Sequence, residues 1–192
     1  MNDRAAWLEE RRLGIGGSDA AAALGLSKWR TPLQLYLDKI GEAEPSEESD
    51  PMRFGTLLEP IVRSEFVRRT GMNVVYGQPA VVSPVYPFMR VNLDGRISPT
   101  ELFEAKTARS DAGWGDPGSD DIPADYVLQN QHAMIVTDAR VVHIAVLIGG
   151  SEFRVYRQEH NPSLAELIIE GEREFWRHVD TRPPPDPPPL AE

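Results

Sequence analysis

Glu104 and Lys106 stand two residues apart in the segment LFEAK, and residues two apart in an extended strand point to the same face. Asp94 lies upstream in RVNLDGRI. Ser98, Pro99, Thr100 and Glu101 between them read as a hairpin turn, which sets Asp94 about opposite Ala105. Carboxylates brought together this way repel, and each raises the other's pKa unless a divalent cation sits between them. Hard oxygen donors select magnesium, with manganese able to substitute, over zinc. Such an ion can polarise a phosphodiester and lower the pKa of a water, while a lysine ammonium orients or deprotonates that water. The chain has 17 arginines and three lysines, and only Lys106 has an acid two positions before it. A Glu-x-Lys tripeptide arises by chance about once in a chain of this size, so its neighbours decide its meaning.

The elements that must position these residues belong to one domain. A chain of 192 residues with 41% hydrophobic content supports a single sizeable core, read here as one domain over residues 1–180. The tail 181–192 (TRPPPDPPPLAE) is expected to be a disordered, polyproline-like appendage. With no cysteine, disulfides, thiolate metal sites, iron–sulfur clusters and cysteine nucleophiles are excluded. No apolar run is long enough for a membrane span and MNDRAAWLEERR lacks a secretory core, so a cytoplasmic protein without membrane contact is expected. The net charge of -10 is unevenly placed. Residues 1–110 carry 14 basic and 15 acidic groups, the remainder 6 and 15, so an anion-binding surface belongs in the first part.

The pattern predicts three short helices first. One runs through AAWLEERR with Asp3 as cap, one follows Ser18 or Asp19 through AAAALGL, and PLQLYLDKI lies between Thr31 and Gly41. A charged loop over 42–50 leads to an apolar-periodic helix over 52–70, in which Pro60 predicts a start near Thr56 or a bend. Strands are expected over 73–76, 80–82, 88–97 and 102–108, then a helix over 123–136 and strands over 141–148 and 153–157. A last helix follows Asn161 and Pro162. This order predicts an α/β fold with a central mixed sheet flanked by helices, preceded by N-terminal helices.

Four blocks, in order, resemble one family. RRLGIGGSDAAAALGLSKW, FGTLLEP, NLDG with FEAK, and IPADYVLQNQHAM are together similar to the PD-(D/E)xK nuclease superfamily, with its restriction-endonuclease-like core, and to its phage lambda exonuclease-like branch of YqaJ-type viral recombinases. The resemblance covers about residues 7–135. It implies metal ligation by Asp94, Glu104 and the Ala105 carbonyl, and action of Lys106 on the attacking water. It also implies an additional acidic residue at Glu59 and a glutamine, Gln129, that helps hold water and phosphate. Arg11 and Ser18 resemble the pair that holds a DNA 5′-phosphate, and amides at a helix start beside an arginine suit an anion on physical grounds. Arg12 is equally cationic, and the tandem leaves the choice between it and Arg11 open. Tyr126, one turn before Gln129, is either a substrate contact or core. Trp7 and Trp29 either stack on bases or fill core. Leu93 stands where the superfamily has its leading proline, a position that supports the turn and does no chemistry.

The resemblance implies an Mg²⁺-dependent exonuclease that degrades duplex DNA 5′ to 3′ from a phosphorylated end and leaves 3′ single strands for phage-type recombination. A trimeric ring around DNA and a single-strand annealing protein as partner come with it. The alternatives are an endonuclease on the same scaffold and a non-catalytic protein that binds DNA ends.

Overall fold

The computed structural model describes residues 9–44 and 49–185. The predicted first helix lies mostly outside them; residues 9–12 are helical. A single 3-10 turn, Gly17–Asp19, then runs into the short helix α1, Ala20–Ala23. Neither Ser18 nor Asp19 caps α1 with its side chain; Asp19 instead reaches back and accepts from the Gly16 N–H at 3.1 Å. Helix α2, Pro32–Lys39, is capped as expected: Thr31 accepts from the Gln34 N–H, Gln34 reciprocates, and Gly41 turns the chain at φ 81°.

Helix α3, Asp50–Thr70, is longer than predicted. Pro60 removes one backbone bond, yet the helix continues, because Val62 and Phe66 anchor its second half in the core. The first half departs from the expected apolar stripe, with Phe54, Leu57 and Ile61 facing solvent. Gly71 closes α3 in the left-handed region.

The predicted strand over 88–97 is two. β2, Arg90–Val91, pairs with β1, Val81–Val82, in a small antiparallel ladder, whereas β3, Gly95–Ser98, belongs to the main sheet. The three residues between them, ending at Asp94, pair with nothing regular. The expected strand over 73–76 is reduced to a single bridge between Val75 and Arg96.

The main sheet has the order β3-β4-β5-β6, with β4 Glu101–Ala108, β5 Val141–Ile148 and β6 Glu152–Glu159. β3–β4 and β5–β6 are antiparallel; β4–β5 is parallel, crossed by helix α4, Ala124–Thr137. The result is the expected mixed sheet. β5 reads VVHIAVLI because it is central and covered on both faces. Leu102, Val142, Ile144 and Val146 pack under α4 and α5, Pro162–Thr181, while Phe103 and Ala145 pack under α3. Period-two alternation along β4 therefore puts Glu104 and Lys106 on the α4 face. Among the described residues no helix is long and apolar enough to cross a membrane.

At Gly95 a Cβ would lie 2.2 Å from Val74 Cγ1, inside van der Waals contact and within a buried cluster. Gly95→Ala is expected to cost about 1–3 kcal/mol, read as a lower urea midpoint at unchanged slope.

Candidate active site

The main chain leaves regular pairing before β3 begins, and this puts the Asp94 side chain across the end of the sheet edge. Its Oδ2 accepts from the Ala105 N–H at 2.9 Å, standing in for the strand that has stopped. In an antiparallel ladder one residue's N–H and C=O face the same neighbour, so the Ala105 carbonyl opens toward the same gap. Glu104, 8% exposed, lies on the adjoining position of β4. Lys106 Nζ lies 2.7 Å from Glu104 Oε1 and donates to Gln129 Oε1 at 3.1 Å; Gln129 Nε2 donates back to Glu104 Oε1 at 2.6 Å. Gln129 is on α4, so strand and helix are fastened together at this triangle. One turn earlier Tyr126 holds its ring 4.6 Å from Lys106 Nζ and also packs on Trp114, combining a core contact with a face on the site.

Glu59 arrives from α3, on the opposite face of the sheet. It pairs with Arg63 at 2.8 Å, and Arg63 also donates to the Asp94 carbonyl at 3.5 Å. Arg63 was not singled out by the sequence, although its position four residues after Glu59 on one helix face was the available signal.

The electrostatics follow from this crowding. Burial pushes the Asp94 carboxyl up to about 8, and the Glu104 and Glu59 carboxylates add to the effect against Lys106 and the Ala105 N–H. Burial disfavours the Lys106 charge, but Glu104 and Asp94 outweigh it and hold the ammonium above its ordinary value. The donor set is entirely oxygen: two carboxylates, a carbonyl facing them, and a third acid nearby. Among the described residues no group of three or more acidic or histidine side chains makes a complete cage. Magnesium suits such a site, since it takes one or two carboxylates and keeps several waters.

A second cluster surrounds the 3-10 turn Gly17–Asp19, which packs on α4. Arg11 is 3.4 Å from Ser18 Oγ and 3.2 Å from Asp19 Oδ1, whereas Arg12 turns to Glu9. Asp19 is buried and also takes Lys39 at 2.7 Å and Arg30 at 3.4 Å. Burial opposes its charge, but Lys39, Arg11 and Arg30 keep its pKa below the usual carboxylate range. Neither Arg30 nor Lys39 was picked out from sequence. Lys39 could have been, as one of only three lysines.

Gly17 joins the two clusters. A Cβ there would meet the Gln129 Cγ and carbonyl oxygen, each at 3.3 Å. One turn further along α4, buried His132 bonds Glu172 of α5 at 2.7 Å and the Arg90 carbonyl at 2.8 Å. Trp7 lies outside the described residues, and Trp29 is 87% exposed, so the core reading of Trp29 is overturned.

Comparison with known proteins gives a family and a fold. Residues 6–140 match the model of the YqaJ-like viral recombinase domain. The chain is 42% identical over 176 residues to a Bacillus subtilis (strain 168) protein described as uncharacterized protein YqaJ, covering 88% of this chain and 54% of that protein. It thus spans about half the length of that curated relative. An alkaline exonuclease (LHK-Exo) from Laribacter hongkongensis superposes with a TM-score of 0.74 at 18% identity, covering 93% of both chains. A phage-related exonuclease from Haemophilus somnus 129PT gives 0.66 at 10% identity, covering 88% of this chain and 96% of the other. The fold is that of these structures.

Asp94 offers a check on this electrostatic picture. Its folded pKa is raised, so its contribution to stability is present below the unfolded carboxyl value and is lost as pH rises toward about 8. In EDTA the protein is expected to lose stability between pH 4 and 8, with Asp94→Asn flattening that slope; urea unfolding across the range measures it.

Proposed function

Taking as premise that the chain belongs to the YqaJ-like viral recombinase domain family, we propose that it is a magnesium-dependent DNA nuclease that degrades duplex DNA 5′ to 3′ from a phosphorylated end. The observation that carries this reading is the closed triangle of Glu104, Lys106 and Gln129 beside Asp94, built from one strand, the residue just before another, and a helix. Asp94, Glu104 and the Ala105 carbonyl would hold the metal, with Glu59 behind them. When bound, the ion supplies charge neutralisation at the scissile phosphate and a more acidic water. Manganese substitutes for magnesium on the same oxygen donors.

The protein's own groups do the positioning. Lys106, held as an ammonium, orients the attacking water and steadies negative charge developing on phosphate oxygens. Gln129 fixes both Lys106 and Glu104, so neither side chain is free to rotate away. Arg11 and Ser18 receive the terminal 5′-phosphate, with Asp19 and Lys39 holding Arg11 in place, whereas Arg12 is turned to Glu9. Tyr126 borders the substrate path.

Residues 1–180 form the nuclease unit, working in the cytoplasm on double-stranded DNA ends. A homotrimeric ring and a single-strand annealing partner complete the recombination reading, and the 3′ single strand is the product handed on. Light scattering that finds a monomer at working concentration removes the ring.

On a 5′-phosphorylated linear duplex with Mg²⁺, Lys106→Ala is expected to slow loss of DNA about a hundredfold or more. Equal rates for Lys106→Ala and wild type would sink the mechanism. Arg11→Ala is expected to abolish the preference for a 5′-phosphate over a 5′-hydroxyl while Mg²⁺-dependent hydrolysis persists, measured as the ratio of initial rates on the two ends. A duplex with both 5′ ends blocked should survive; its cleavage would point to an endonuclease.

A further inference from the structure

Trp29 stands on the short connection between α1 and α2 with nearly all of its indole in water. An indole carries about 150–250 Å² of mainly apolar surface, and leaving it exposed forgoes one of the larger burial gains available to a side chain. The connection is nonetheless held in place. The Trp29 N–H donates to Ser27 Oγ at 3.1 Å. Arg30 pairs with Asp38 at 2.8 Å and with Asp19 at 3.4 Å, and Thr31 caps α2. The indole is thus presented outward from a fixed main chain.

Its surroundings specify what it meets. Lys28 and Arg30 flank it in a chain whose net charge is -10. Arg30 shares Asp19 Oδ1 with Arg11, the arginine beside Ser18. A flat aromatic surface between cations, one residue from a group tied to an anion site, matches a nucleotide: the base stacks while the cations meet phosphates. Resting on the reading that Arg11 and Ser18 take the 5′-phosphate, we propose that Trp29 is a stacking platform for a nucleobase at the DNA end, with Lys28 and Arg30 on the neighbouring phosphates. Stacking uses the π-face that every base has, so the platform grips an end without selecting its sequence.

The test compares wild type, Trp29→Ala and Trp29→Phe on two duplexes, one with an ordinary 5′-phosphorylated nucleotide and one with a phosphorylated abasic residue at the same position. Binding is followed by anisotropy with Ca²⁺ in place of Mg²⁺, and turnover separately with Mg²⁺. The expected result is about tenfold weaker binding for Trp29→Ala on the ordinary end, with most of the affinity retained by Trp29→Phe. The abasic end should weaken wild type by a similar factor and Trp29→Ala hardly further, because the two changes remove the same contact. In turnover the loss should fall on KM rather than kcat. Duplex should also quench tryptophan fluorescence in wild type and not in Trp29→Phe. Unchanged affinity in Trp29→Ala overturns the platform, as does full additivity of the two penalties, and in either case degradation by wild type leaves the nuclease reading standing. Wild type that neither binds nor degrades phosphorylated duplex overturns that reading and this inference with it. The melting temperature of Trp29→Ala, expected to match wild type for so exposed a side chain, separates a lost contact from a lost fold.

Discussion

Two carboxylates held side by side in a partly dry site are the constraint around which the rest is arranged. Burial raises the Asp94 carboxyl and the nearby Glu104 carboxylate adds to it, a repulsion stronger there than it would be in water. Much of the surrounding architecture can be understood as holding this unfavourable pair in place. The sheet edge stops at β3 so that Asp94 can take the Ala105 N–H. α4 contributes Gln129, whose amide both donates to Glu104 and accepts from Lys106. α3 contributes Glu59 with Arg63 as its own counter-charge. The site is therefore assembled from three layers, and no single supersecondary unit contains it.

The second constraint is steric. Gly17 lies against Gln129 closely enough that even a methyl group would press on it, and His132 one turn later is tied to both Arg90 and Glu172. A fully buried ion pair is costly unless its geometry is tightly satisfied, and its value here is that it fixes the relative position of α4, α5 and β2. Burial opposes the His132 charge, yet Glu172 overcomes this and raises the imidazole pKa, so the proton stays within the pair. The turn that carries Ser18 and the Glu104 carboxylate are thus referred to the same rigid helix, both through Gln129.

What was legible in the sequence was whatever local rules control. The Ser98–Glu101 turn, the Thr31 and Asn161 caps, the apolar run of β5 and the Glu104/Lys106 alternation all follow from short-range pattern, and the structure has them. The departures arose where tertiary packing decides. The stretch 88–97 reads as one strand because its residues suit extension, but its two ends pair with different partners. Pro60 argued for a break, and packing of Val62 and Phe66 overrode it. For Trp29 the sequence leaves stacking and core both open, because residue type alone does not say whether an indole is enclosed. The Asp19 network escaped notice because its members are spread over residues 11 to 39, and only folding brings Lys39 and Arg30 to one buried carboxylate. Family resemblance supplied Glu59, Gln129 and Ser18, which isolated residue chemistry would have left as ordinary polar positions.

The scarcity of lysine has a consequence for handling this protein. Two of the three lysines face carboxylates, Lys106 in the carboxylate cluster and Lys39 beneath Asp19, and the third, Lys28, precedes Trp29. The side chain of Lys39 is wholly enclosed and that of Lys106 nearly so, whereas Lys28 is open to solvent. Amine-directed reagents, whether dyes, biotin esters or activated resins, will therefore find Lys28 first among the lysines. Such a label sits beside the outward-facing indole, so attachment chemistry aimed at arginine-free, lysine-free surface is the better choice for immobilising the molecule.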